Sequence, residues 1–216
     1  GFLISEIALA LEMDDHALLV SLNKKCLEIE QAIQKEQERL LKIAVAKEEI
    51  QGSKSELHYH ISMKSIPACQ VLSLRRTVPT YYSEGDLWKE LSAFAEKEEI
   101  EISSDTFTIY HDTEYREQDV DMELCAPVKK AGENREPFCF RKTEAVQAMA
   151  STMVYGEFSN IKKAYLAFAK WLQKNSNYQM SAPVRQIVHR GPWNENAPAK
   201  YLTELQIPVE PLQNVL

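Results

Sequence analysis

The second half of this chain can be laid on the first. Met63-Lys64-Ser65-Ile66-Pro67-Ala68 falls on Arg141-Lys142-Thr143-Glu144-Ala145-Val146 at an offset of 78 residues. The apolar face of the next segment follows at 77, with Trp88 on Tyr165, Leu91 on Phe168 and Phe94 on Trp171. Asp105-Thr106-Phe107-Thr108-Ile109 then falls on Pro183-Val184-Arg185-Gln186-Ile187 at 78, and Glu123-Leu124-Cys125-Ala126-Pro127-Val128 on Glu204-Leu205-Gln206-Ile207-Pro208-Val209 at 81. Small changes of offset are what loop insertions leave behind. Four matched elements in one order make a duplication, with copies at 57–128 and 138–209 joined by the charged stretch Lys129 to Glu136. Residues 57–71 and 138–155 are rich in β-branched and aromatic residues, and each leads into a segment with apolar residues three or four apart. Each copy therefore reads strand–helix–strand–strand. The fold class that follows is α+β, an antiparallel sheet with its helices on one face and the other face open or concave.

A different period precedes the duplication. Positions 19, 22, 26, 29, 33, 36, 40, 43, 47 and 50 hold Leu, Leu, Cys, Ile, Ile, Glu, Leu, Ile, Lys and Ile, while Gln31, Gln34, Lys35, Gln37, Glu38 and Arg39 fill the other faces. A narrow apolar seam repeating every seven residues suits a coiled coil better than packing on a broad core. Residues 15–53 are thus expected to form a dimerisation helix, pairing two chains through 19–50, although one amphipathic helix lying on its own domain has the same pattern. Asp14 or Asp15 can cap its start, and Gly52-Ser53 end it.

The net charge of −7, from 25 Lys+Arg against 32 Asp+Glu, argues against a chain that tracks a phosphate backbone by itself. No apolar run approaches the ~18 residues of a membrane span. Cys26, Cys69, Cys125 and Cys139 are widely spaced without a C-x-x-C, which reads as reduced thiols in a cytoplasmic protein.

In the last strand Tyr201, Thr203, Leu205, Ile207 and Val209 point one way and belong under the helices, so Leu202, Glu204 and Gln206 point the other way. The matched strand repeats this, with Val120, Met122, Leu124, Ala126 and Val128 opposite Asp121, Glu123 and Cys125. A carboxylate central to such a face, if apolar groups cover it, needs a cation or donors to stay ionised. That is how a receptor for a lipophilic cation works. Periodicity alone favours an ordinary exposed glutamate on a half-wet sheet.

The duplicated pattern, the helix start Gly156-x-x-x-x-Ile161 with Tyr165, Phe168 and Trp171, the Pro183-x-Arg185-x-Ile187 strand and the closing Thr203-Glu204-Leu205-x-Ile207-Pro208-Val209 resemble the GyrI-like effector-binding domain. Gly1-Phe2-x-Ile4-x-Glu6-Ile7 resembles the segment that follows the winged helix in MerR-family transcription regulators, with Ser5 one place from the family's serine. The resemblance implies a small-molecule-sensing, multidrug-type regulator. Residues 1–14 would be the remnant of its DNA-binding domain, 54–216 the effector domain, and DNA would be bound only through the absent winged helix. It also implies that Glu204 sits centrally in the ligand groove. Around it Tyr110, placed on the groove side by parity, and Tyr155, Trp193 and Phe140, near strand ends or loops, are candidate ligand contacts; Glu123 is the second carboxylate by repeat symmetry.

Other chemistry is sparse. His58 and His60 share one strand face, but no third ligand stands at a suitable spacing, so no metal is expected. Glycines are scattered, without G-x-G-x-x-G or G-x-S-x-G, and no cofactor is expected. Arg75-Arg76 reads as a solvated pair. Two alternatives to the sensor stand: a GyrI-like hydrolase of strained small molecules, with Glu204 as base, and a module that inhibits another protein. The seven-residue seam favours the dimeric regulator over the hydrolase, and an exposed apolar patch without a closed pocket would mark the inhibiting module.

Overall fold

The computed structural model describes residues 14–50, 59–112, 114–181 and 183–212. The motif at 1–7 and His58 lie outside them. The chain divides into two compact units, 1–54 and 55–216.

In the first unit, α1 (Asp15–Ile50) runs for 36 residues. Asp14 caps it: its carboxylate accepts the Ala17 N–H at 2.8 Å, which satisfies one of the free donors of the first turn. The seam residues Leu19, Leu22, Ile29, Leu40 and Ile43 stand 41–66% exposed in the single chain.

The second unit opens with β1 (Ser62–Ile66), β2 (Gln70–Val78), α2 (Glu84–Lys97), β3 (Phe107–Tyr110) and β4 (Val120–Pro127). It then repeats the series as β5 (Phe138–Lys142), β6 (Val146–Tyr155), α3 (Ile161–Lys174), β8 (Val184–Arg190) and β9 (Leu202–Pro211), with a short β7 (Tyr178–Met180) before β8. Eight strands form one sheet in the order β1-β6-β9-β8-β3-β4-β2-β5, and β7 pairs with the end of β9. The order reads the same from either end when one copy is exchanged for the other. The strand–helix–strand–strand repeat is present as β2-α2-β3-β4 and β6-α3-β8-β9, meeting where β3 pairs with β8.

Each copy carries one further strand at its start, and that strand crosses over. β1 of the first copy pairs with β6 of the second, while β5 of the second pairs with β2 of the first. The registers fix the equivalence of individual residues. Ser62 lies opposite Ser151 and Lys64 opposite Met149, as Cys139 lies opposite Ser73 and Arg141 opposite Val71. Lys64 is therefore the counterpart of Arg141, an offset of 77 and one residue less than direct superposition of the sequence gives.

The two helices cover one face of the sheet, because each buries an i, i+4 stripe against alternate strand residues. Leu87, Leu91 and Ala95 of α2 pack on Leu72, Leu74, Val120, Met122, Leu124 and Ala126. Ala164 and Phe168 of α3 pack on Ala150, Val154, Leu205, Ile207 and Val209. Val120, Met122, Leu124 and Ala126 of β4 and Leu205, Ile207 and Val209 of β9 are among the residues that alternation assigned to the helices. The opposite face carries its own smaller apolar cluster at the junction of the copies, Val71, Phe107, Ile109 and Cys125 with Cys69 and Ile187 against it.

The turn from β6 into α3 depends on one glycine. Gly156 has φ +87°, donates its N–H to the Tyr201 carbonyl at 2.9 Å, and would bring an added Cβ within 2.8 Å of the Asn160 amide. That amide in turn donates to the Tyr155 carbonyl at 3.0 Å. An L side chain meets both a left-handed backbone and a clash here, so Gly156→Ala should cost about 1–3 kcal/mol. Urea unfolding of the two proteins measures it.

Candidate functional site

The face that the helices leave uncovered holds two buried carboxylates, one per copy. Glu123 in the middle of β4 is 4% exposed and Glu204 in the middle of β9 is 3% exposed. Each has an isoleucine directly across the ladder, Ile109 beside Glu123 and Ile187 beside Glu204. An ionised carboxylate in such surroundings persists only with donors and a counter-charge. Both have them, in the same arrangement.

Around Glu123, Arg141 from β5 donates through Nε to Oε1 at 2.6 Å and through Nη2 to Oε2 at 2.7 Å. The His111 ring nitrogen Nε2 lies 2.9 Å from Oε2. Since an ionised carboxylate can only accept, the ring donates. Around Glu204, Lys64 Nζ from β1 lies 2.6 Å from Oε1. His189 Nε2 lies 3.3 Å from Oε2, Gln206 Nε2 donates to Oε1 at 3.0 Å, and Ser151 Oγ donates to the same oxygen. His111 and His189 are equivalent positions of the two copies, as are Ser73 and Ser151, and Arg141 and Lys64.

Burial on its own pushes both carboxyls up, but the neighbours win. Hydrogen bonds from His111, Arg141 and Ser73 and the Arg141 charge hold Glu123 at about 2 instead of 4.5. The His189 bond, the Lys64 charge and the Ser151 bond hold Glu204 well below the usual carboxylate range. Both acids are ionised at neutral pH.

The rest of this face near Glu204 mixes apolar side chains with two arginines. Met153 lies directly across from it on β6, and Tyr155, two residues on along the same face, pairs with Leu202. The Arg190 guanidinium lies 5.5 Å above the Tyr155 ring. Nearer the junction of the copies Arg185 is buried, its guanidinium 5.5 Å from the Phe107 ring and 3.5 Å from the Glu144 carbonyl.

Of the residues singled out from sequence, Glu204, Glu123 and Tyr155 are on this face. Tyr110 is not. Its hydroxyl donates to Glu84 at the start of α2 at 2.7 Å, as Thr108 does at 2.6 Å, so Tyr110 belongs to the helix side of β3. Phe140 is also on the helix side, packed in the α2 cluster on β5, which is the sheet edge farthest from β1. Arg141, its neighbour, takes the carboxylate side instead. Trp193 stands on the loop after β8, 63% exposed, with its ring over Gly191.

Sequence reasoning missed Lys64, Arg141, His111, His189, Ser73, Ser151 and Gln206. A signal existed for four of them: His111/His189 and Ser73/Ser151 both recur at the repeat offset of 78. Among the described residues no group of His, Cys, Asp and Glu is placed to hold a metal ion. Arg75 and Arg76 form exposed bidentate pairs with Asp121 and Glu90.

The profile described as the GyrI-like small molecule binding domain matches residues 59–210. Among solved structures, the C-terminal domain of EcmrR is 29% identical with TM-score 0.66, covering 71% of this chain and 99% of its own. EcmrR in its complex with DNA is 27% identical with TM-score 0.68, covering 98% of this chain and 79% of its own. A hydrolase encoded by lin2189 from Listeria innocua, 12% identical with TM-score 0.55 over 76% of this chain and 98% of its own, shares the fold. No curated protein sequence matches the chain.

Proposed function

The chain belongs to the GyrI-like small molecule binding domain family, and from that premise we propose that it is the effector-sensing, dimerising part of a MerR-type transcription regulator, with Glu204 as the anchor for a lipophilic cation. The observation that carries the reading is Glu204 itself, an ionised carboxylate 3% exposed in the middle of a strand, on the face without helices and beside Met153, Ile187 and Tyr155. Such a centre offers a cation charge compensation and an apolar surround in one place. The exposed seam of α1 suits pairing with a second copy, and DNA contacts fall to a winged helix preceding this segment in a cytoplasmic regulator.

The carboxylate's chemistry weighs against the hydrolase alternative. A general base works best with an affinity for protons near the operating pH, and Glu204 is held far on the acidic side by Lys64, His189 and Ser151. It is placed to hold positive charge and poorly placed to take a proton from water.

The test is calorimetric titration with tetraphenylphosphonium of wild type and Glu204→Gln. Because Glu204→Gln strands the Lys64 ammonium, the charge-neutral pair Glu204→Gln/Lys64→Met is titrated beside it, with thermal unfolding to verify folding. Removing the anchor should weaken binding at least tenfold, about 1.4 kcal/mol, in both. Equal binding by the folded neutral variant moves the cation site away from Glu204.

A further inference from the structure

We propose that the Lys64 ammonium is an internal competitor for the effector: it occupies the cation position at Glu204, and a cationic ligand binds by taking its place. The inference deepens the Glu204 reading and rests on it. Three observations carry it. The first is saturation. Glu204 Oε1 already accepts from Lys64, Gln206 and Ser151, and Oε2 from His189, while the Lys64 and Glu204 side chains are 10% and 4% exposed. A second full cation beside the same buried carboxylate would face Lys64 at close range without solvent screening, so the two are alternatives.

The second observation is that Glu204 keeps support when the ammonium leaves. Ser151, His189 and Gln206 are donors already in place, and they remain to hold the carboxylate for an incoming ligand. The equivalent of Gln206 in the first copy is Cys125, a weak donor. Glu123 thus has one strong neutral donor fewer and leans more on its cation.

The third is the kind of cation. Arg141 grips Glu123 with two parallel bonds of 2.6 and 2.7 Å, a fork geometry that fixes position as well as charge. Lys64 offers a point charge on a flexible stem, on the edge strand β1, whose register against β6 shifts immediately after it, between Lys64 and Ile66. The duplication thus supplies its own control: one carboxylate locked by a guanidinium, the other closed by an ammonium that can be exchanged.

Substitutions at Lys64 should then move affinity in opposite directions. With tetraphenylphosphonium as the probe and calorimetry on the full chain, Lys64→Met should bind about tenfold more tightly than wild type. Lys64→Arg, which gives Glu204 the grip that Glu123 has, should bind about tenfold more weakly. Thermal unfolding accompanies each titration; if Lys64→Met does not fold, Lys64→Gln, which retains a neutral donor, is expected to tighten binding in its place. Affinities for both Lys64 variants equal to wild type, with binding still lost in the folded Glu204→Gln/Lys64→Met protein, overturn the competitor and leave the Glu204 anchor standing. Binding that survives in that double variant overturns the anchor. Absence of binding by wild type and by Lys64→Met overturns both.

Discussion

Arg141→Met should destabilise the sheet domain by about 3–5 kcal/mol, the largest single effect expected on this carboxylate-bearing face. Removing the guanidinium leaves the 4%-exposed Glu123 carboxylate with His111 and the Ser73 hydroxyl but without the cation that bonds both of its oxygens. Either the charge stays in an apolar setting or the group takes up a proton to lose it, and both outcomes draw on folding energy. The figure is the cost of stranding one partner and exceeds what the intact pair contributes. Substituting both residues, as Glu123→Leu/Arg141→Met, removes the pair together and should recover most of the loss. Urea midpoints of wild type, single and double variants measure the difference. A single variant within about 1 kcal/mol of wild type would show that water reaches Glu123 in solution.

Acid should unfold this domain through the same two carboxylates. In the unfolded chain Glu123 titrates near 4.5 and in the folded one near 2, so the unfolded state binds the proton first as the pH falls. A depressed value of this kind contributes stability that is fully present above about 4.5 and is lost on the way down to about 2. For Glu123 the whole contribution is roughly 3 kcal/mol, of which roughly 2 is gone by pH 3. Glu204 is displaced in the same direction and adds to the slope. Urea unfolding at pH 6 and at pH 3 should therefore show a fall of at least 2 kcal/mol, and Glu123→Leu/Arg141→Met should show a fall smaller by about that amount. An identical acid slope in the double variant would assign the titration to other groups.

How far the sequence carried the argument depends on which interaction each feature obeys. Alternation along β4 and β9 placed Glu123 and Glu204 on the face away from the helices, because Leu124, Ala126, Leu205, Ile207 and Val209 must be covered and the acids lie between them. The same reasoning failed for Tyr110, because all four residues of β3 are buried and no polar-apolar rhythm marks its faces. Phe107 and Ile109 face one apolar cluster, while Thr108 and Tyr110 face Glu84 on the other side. Parity then has nothing to anchor it. The crossing of β1 and β5 was not legible either. A strand's own side chains report whether it is covered, and the choice of ladder partner is settled by chain connections far away in sequence. With that crossing hidden, Lys64 and Arg141 gave no sign of where they would end up. The helix α1 lay in plain view in the spacing of its apolar residues, a local property of one segment.

The exchange of outer strands ties the two copies together more tightly than their shared junction does. Glu204 of the second copy is neutralised by Lys64 of the first, and Glu123 of the first by Arg141 of the second. Neither copy, made as a separate polypeptide, has its own edge strand to lay on its sheet or its own cation to give its acid. The unit of evolution that was duplicated is therefore no longer a unit of folding. Closing the ladder between β1 and β6 joins residues as far apart as Ser62 and Ser151, a long loop to close before any burial rewards it. Assembly of the domain should be all-or-none and slow, with both acids left in water until the strands have crossed.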